Sequence, residues 1–182
     1  MDHHIWNEVI TELQKGVEQD DHPFTFATLA TLGLERLPRL RTIKIRDFDP
    51  QSLQLTFYTD ARSKKVMHIK ENNKVSLLFY HPDLLMQLRI EGLAIRERDE
   101  DLLQEHWNGV KGKSQRDYTT AVAPGTEIKH PEQIEYMEDD TYFTLFYVLP
   151  FKVEYLKLKR PHHLRLRFSK REGEWKGDFL VP

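Results

Sequence analysis

The chain has 182 residues, 39% hydrophobic, 11% aromatic and 31% charged, with a formal net charge of −2 and no cysteine. That balance excludes disordered and fibrous classes, fits one well-buried core rather than two domains, and gives no global attraction to nucleic acid or anionic lipid. Without cysteine, disulfides, thiolate metal sites and a cysteine nucleophile are excluded, and a reducing compartment, by default the cytoplasm, is the expectation.

Trp6, Val9, Ile10, Leu13 and Val17 recur at spacings of three and four, which predicts an amphipathic helix over about residues 3–19. This segment has no continuous apolar run, so neither a signal peptide nor a membrane span is expected. Strand-like runs follow at 24–32, 40–48, 53–59, 75–81 and 84–98, with turn-like residues at 33–38 and 49–52, so neighbouring strands are expected to run antiparallel. Residues 63–72 are helical in character with Ser63 as N-cap. Asp99 caps a helix over 99–108, residues 114–122 read as another short helix, and 131–138 as one or two helical turns. Strands return at 142–149, 151–158, 164–169 and 175–181. Short strands at this close spacing, with helices on the rim, predict a single domain over 1–182 that is mainly β (α+β), a closed or partly closed antiparallel barrel.

Several candidate chemistries lack support. Residues 109–114, GVKGKS, end like a phosphate-binding loop, but Trp107 stands where the first glycine is required and the segment follows a helix rather than a strand. The three spaced glycines of a dinucleotide fold are missing. Among nine histidines, His3-His4 and His162-His163 are adjacent pairs whose side chains diverge, and no HExxH spacing occurs, so no metal site is expected. Residues 157–171, KLKRPHHLRLRFSKR, carry seven Lys or Arg and no acid. Alternation along a strand puts Arg165 and Arg167 on one face, where they suit a nucleic-acid backbone or a small anion equally.

The stretch FYTDARSKK, residues 57–65, is the strongest signal. A strand breaks into Arg62, Lys64 and Lys65 around Ser63, so cations and a hydroxyl meet at the start of a helix. Unpaired backbone N–H groups and the helix dipole favour an anion there, whereas lysines in a first turn oppose the dipole unless something negative is bound. A second basic run, Arg39 to Arg46, adds further cations. With a near-neutral total, a phosphorylated small ligand is favoured over a polyanion, and no nucleic-acid partner is expected.

The order RTIKIR at 41–46, FYTDARSKK at 57–65, ENNKVSLLFY at 71–80 and MQLRIEG at 86–92, with RLRF at 165–168 and a closing LVP, resembles the pyridoxamine 5'-phosphate oxidase family of FMN-binding split barrels over roughly residues 24–182. The resemblance implies an FMN-dependent oxidoreductase acting on a small substrate as a homodimer, with sites between subunits. It implies that Arg41 and Lys65 bind the FMN phosphate, helped by Ser63 and by Lys64, which stands where the family usually has arginine. Thr42, Ile43 and Lys44 would line the isoalloxazine through their backbone, Tyr58 and Thr59 would contact the flavin and ribityl chain, Gln87 would hydrogen-bond the flavin, and Arg167 would lie at its pyrimidine end. The substrate half departs from the pattern. The family's Tyr, Arg and Ser clamp becomes His106, Val110 and Ser114, its Arg-Leu-His becomes His163-Leu164-Arg165, and its lysine becomes Arg46. Only the serine survives, which points away from pyridoxine phosphate as substrate. An FMN-binding protein without turnover, or a reductase using another flavin-type cofactor, stays open as an alternative.

Overall fold

The structure, a computed structural model, describes residues 2–138 and 140–182. Helix α1 (His3–Glu18) starts where the Asp2 side chain accepts hydrogen bonds from the His4 and Ile5 amides. Its stripe of Ile5, Trp6, Val9 and Leu13 is buried. At Gly16 a Cβ would lie 2.7 Å from the Phe24 carbonyl, so α1 seats directly on the backbone that follows it. No helix among the described residues is long and apolar enough to cross a membrane.

Eight antiparallel strands follow: β1 (Phe26–Leu32), β2 (Pro38–Phe48), β3 (Leu55–Asp60), β4 (Lys74–His81), β5 (Met86–Arg96), β6 (Phe143–Lys157), β7 (Leu164–Arg171) and β8 (Glu174–Phe179). Helix α2 (Lys64–Glu71) links β3 to β4, and α3 (Glu100–Gly109) follows β5. The sheet runs β3-β2-β1-β4-β5-β6-β7-β8, and a further β3–β6 pairing closes six of these strands into a barrel. β1, β4 and β5 alternate buried and more exposed residues, β3 is buried nearly throughout, and Leu29, Phe57, Leu77, Leu88, Val148 and Phe168 fill the interior.

Closure depends on β6. One edge pairs with β5 along most of its length, while the other serves β3 through Phe143–Val148 and β7 through Lys152–Lys157. The sequence pattern suggests two strands broken at Pro150, but the structure has one. Pro150 falls at a register shift opposite Gly92, where Phe151 has no partner on β5, so its missing N–H costs no ladder bond. A Cβ on Gly92 would lie 2.7 Å from the Leu149 carbonyl oxygen, a close approach that only glycine allows.

Other boundaries move for local reasons. The first strand starts at Phe26 because Pro23 opens a 3₁₀ turn, Pro23–Thr25, capped by His22. The helix expected at 114–122 is a 3₁₀ segment, Gly112–Tyr118; beyond it Thr120 bridges to Tyr136 and donates to the Val122 carbonyl instead of continuing a helix. The turns expected over 131–138 shrink to Pro131–Gln133.

Candidate functional site

Strands β2 and β3 part along their length. They pair only at Ile45↔Phe57, Asp47↔Thr56 and Phe48↔Leu55, with a register shift between Ile45 and Asp47. Such bulges bend the strand that carries them. N-terminal to Ile45, β2 stays with β1 alone; C-terminal to Phe57, β3 stays with β6 alone. Backbone groups of Thr42, Ile43 and Lys44 that point away from β1 therefore border a cleft whose other wall is Tyr58 and Thr59.

At one end of this cleft the cations converge. Ser63 occupies the N-cap position of α2, but its side chain does not cap the helix. It turns to Thr59, 3.2 Å between hydroxyl oxygens, and the Lys65 ammonium donates to both, at 2.9 Å to Thr59 Oγ1 and 3.1 Å to Ser63 Oγ. Arg41 donates to Thr31 Oγ1 at 2.7 Å and to the Leu29 carbonyl at 3.2 Å. Neither Arg41 nor Lys65 forms an ion pair among the described residues; the nearby acids are taken, Asp60 by Arg62 and Glu35 by Arg39. Burial, then the adjacent Arg41 charge, holds the Lys65 ammonium below the usual lysine range, and burial alone lowers Arg41. Two desolvated cations, two hydroxyls and a helix N-terminus form a donor set that a phosphate satisfies. Lys64 is exposed beside it and lines a cavity of about 340 Å³ with Arg39, Arg41 and His68.

The third cation of the motif has another task. Arg62 is held by Asp60 at 2.7 Å, reaches the Thr120 and Ala121 carbonyls, and stacks on Tyr142 at 3.4 Å, fastening the 118–126 segment to the barrel. Two residues that the motif does not contain do belong to the cluster. Buried Thr31 bridges Arg41 to buried His68, whose Nδ1 lies 3.1 Å from Thr31 Oγ1. The spacing of three from Lys65 to His68 on one helix was the available signal, but nothing in the sequence pairs β1 with it.

Gln87 and Arg167 lie elsewhere. Register places Gln87 beside Tyr80 and Leu156, and Arg167 between Glu154 and Asp178, all on the outer face of the β4–β8 sheet. Two strands, β1 and β4, separate Gln87 from β2. The same face carries exposed apolar side chains, Phe26 (52% exposed), Leu40 (67%), Leu78 and Tyr80. Arg167 donates to Asp178 at 3.3 Å while its Nε is buried and has no partner among the described residues. Arg165, expected at the substrate, is held by Glu154 through Nε at 3.1 Å and Nη2 at 2.7 Å. Within the basic run 157–171, Arg165 pairs with Glu154, Arg167 and Arg171 share Asp178, and Lys157 pairs with Glu8 of α1. His163 lies in the exposed β6–β7 turn, accepting from the Lys159 amide.

Over the outer side of β3, α3 and the following 3₁₀ segment bring together His106, Trp107, Tyr118 and Phe143. His106 Nδ1 is 2.8 Å from the Tyr58 hydroxyl, and the Arg46 guanidinium lies 5.3 Å from the Tyr58 ring centre. Burial raises the Tyr58 phenol above its usual range. Val110 is buried, 6% exposed, and Ser114 is half-buried one turn on. A separate cluster, Glu12, His22 and His81, sits under α1, with Glu12 Oε2 at 3.0 Å from His22 Nε2 and 3.7 Å from His81 Nε2. Both Nδ1 atoms accept backbone N–H groups, from Phe24 and Leu84, so both rings carry their proton on Nε2 and face Glu12 as donors. That tautomer suits a hydrogen-bonded strut, not a metal ligand set.

The architecture is a split antiparallel β-barrel with a cationic pocket where β2 and β3 part. The model of the pyridoxamine 5'-phosphate oxidase FMN-binding domain matches residues 3–96, half of the sequence, and the chain belongs to that family. It is 26% identical over 170 residues to pyridoxine/pyridoxamine 5'-phosphate oxidase of Microcystis aeruginosa, covering 85% of this chain and 78% of that one. Among solved structures it is similar to a pyridoxamine 5'-phosphate oxidase-related FMN-binding protein of Nostoc punctiforme, at TM-score 0.81 and 22% identity over 97% of both chains. It is also similar to PhzG of Burkholderia lata, solved with tetrahydrophenazine-1-carboxylic acid, at TM-score 0.76 and 21% identity, covering 96% of this chain and 92% of that one.

Proposed function

We propose that this chain is an FMN-dependent oxidoreductase that works as a single-domain cytoplasmic homodimer on a small substrate. The observation that carries the reading is the pair of desolvated, acid-free cations, Arg41 and Lys65, at the end of the β2–β3 cleft. Arg41, Lys65, Ser63 and Thr59 hold the phosphate, with Lys64 on the solvent side. The free backbone of Thr42, Ile43 and Lys44 and the side chains of Tyr58 and Thr59 hold the ring and ribityl chain. When bound, FMN supplies the redox chemistry, accepting hydride at N5 and returning the electrons to an acceptor, oxygen in this reading.

One chain does not bring Gln87 and Arg167 to that cleft, since two strands separate Gln87 from β2 and Arg167 sits on β7 opposite Glu154, ten residues along β6 from the partner of Thr59. A second copy can, and the exposed Phe26, Leu40, Leu78 and Tyr80 on the same face supply apolar area for the seam. Arg167 of the partner subunit, with an unpartnered buried Nε, then stabilises negative charge at the pyrimidine end of the flavin. On the substrate side Tyr58 and Arg46 orient His106, and Ser114 with His163 and Arg165 of the partner subunit complete the rim. Val110 fills the place of a phosphate-clamping arginine, so the substrate is recognised there without a second phosphate contact.

The test is the visible spectrum of purified protein titrated with FMN, then with pyridoxamine phosphate and other reduced donors without oxygen. Bound flavin that a donor other than pyridoxamine phosphate bleaches supports the proposal. Bleaching by pyridoxamine phosphate would overturn the substrate reading, flavin that no donor reduces would leave a binding protein without turnover, and absence of FMN binding would overturn the whole.

A further inference from the structure

Arg41 and Thr31 share a partly buried hydrogen bond of 2.7 Å. A guanidinium only donates, so Thr31 Oγ1 accepts there, and the threonine's own proton needs an acceptor. Among the described residues the Thr31 hydroxyl has one other partner, His68 Nδ1 at 3.1 Å. Thr31 is 3% exposed and His68 7%, so water is a poor substitute. The His68 ring must therefore present a lone pair at Nδ1 and carry its single proton at Nε2. Its surroundings favour that neutral form. Burial, then Arg41 and Arg39 from β2, disfavour the charged ring; Glu35 of the β1–β2 turn acts the other way, and Lys64 from its own helix again disfavours it.

The result is a one-way chain, Arg41 to Thr31 to His68, that fixes the guanidinium from behind. Without the last acceptor, the Thr31 hydroxyl is free to turn its proton toward Arg41, and the guanidinium loses one of its two anchors, the other being the Leu29 carbonyl at 3.2 Å. We infer that His68 is a positioning residue of the phosphate site, acting through Thr31 on Arg41 to set the preference for phosphorylated over unphosphorylated flavin. This rests on the proposed FMN site, which does not itself assign a role to Thr31 or His68.

The experiment compares dissociation constants for FMN and for riboflavin, by quenching of flavin fluorescence, in the wild type and in His68→Leu, His68→Asn and Arg41→Ala. Riboflavin lacks the phosphate, so the ratio of the two constants isolates the phosphate site from general damage to the fold. His68→Leu is expected to lower the preference for FMN about tenfold, equivalent to about 1.4 kcal/mol. His68→Asn, whose Oδ1 can replace Nδ1 as acceptor, is expected to keep it. An unchanged ratio in His68→Leu, or an equal loss in His68→Asn, with Arg41→Ala reducing the ratio, would overturn the role of His68 and leave the phosphate site standing. An unchanged ratio in Arg41→Ala would overturn the phosphate site and this inference with it.

Discussion

Replacing Lys65 by methionine separates a residue kept for a ligand from one kept for the fold. Among the described residues the Lys65 ammonium has two hydroxyl partners, Thr59 at 2.9 Å and Ser63 at 3.1 Å, and no acid. Those hydroxyls are also 3.2 Å from each other, so they keep a mutual hydrogen bond when the ammonium is gone. Methionine retains the stem while removing a charge that burial and Arg41 both disfavour. Relief of the charge is expected to stabilise the ligand-free protein by about 1 kcal/mol, raising Tm by about 2–4 °C for a chain of this size. FMN loses one charged hydrogen bond worth about 1.5–3 kcal/mol, an affinity loss on the order of 10- to 100-fold. The pH dependence follows in sign. The folded-state pKa of Lys65 lies below the unfolded value, so in alkaline solution the unfolded chain binds more protons and ligand-free stability rises with pH until the ordinary lysine range is passed. The methionine variant lacks that rise. Melting curves without flavin and fluorescence titrations with FMN read both quantities; a lower Tm with undiminished FMN affinity would refute the reasoning and make Lys65 a structural residue.

His68 is held neutral by burial and by Arg41 and Arg39, so as pH falls the unfolded ring takes up its proton first; wild-type stability to urea is expected to decline below the ordinary histidine range, and His68→Asn to lack that part of the decline. Leu78→Glu places a charge in the apolar patch of the outer face, and sedimentation should show monomer with weakened FMN retention, whereas an unchanged dimer would move the seam elsewhere. Tyr155, fully buried in β6, donates to Glu8 of α1 at 2.7 Å; Tyr155→Phe is expected to cost about 1–2 kcal/mol, seen as a fall in Tm of a few degrees with flavin binding unaffected.

Strands such as β1, β4 and β5 are legible because they keep a period of two, and the end of β3 stands out because cations at a helix start oppose the dipole. Pro150 misled because a proline in a strand reads as a break, and only the neighbouring strand shows that it meets a bulge at Gly92. Arg62 sits in the same motif as Lys64 and Lys65, yet the Thr120 and Ala121 carbonyls that claim it lie some sixty residues away and leave no local trace. Thr31 and His68 escaped notice for a similar reason: a lone threonine in a strand and a lone histidine in a helix acquire meaning only from the contact between them. The Glu154 carboxylate that holds Arg165 is likewise set beside it only by the pairing of β6 with β7.

The pairing that closes the barrel joins residues 55–60 to residues 143–148, whereas β1 meets β2 and β4 meets β5 across short turns. A contact between segments so distant in the chain forms late, because the loop entropy must be lost before the pairing is gained. During synthesis β3 therefore waits, with the edge meant for β6 open, until most of the chain has been made. The cleft wall formed by Tyr58 and Thr59 is on that waiting strand. In the proposed site, capture of flavin therefore waits for β6 (Phe143–Lys157), and variants that slow the arrival of β6 should show first as protein that aggregates before it turns yellow.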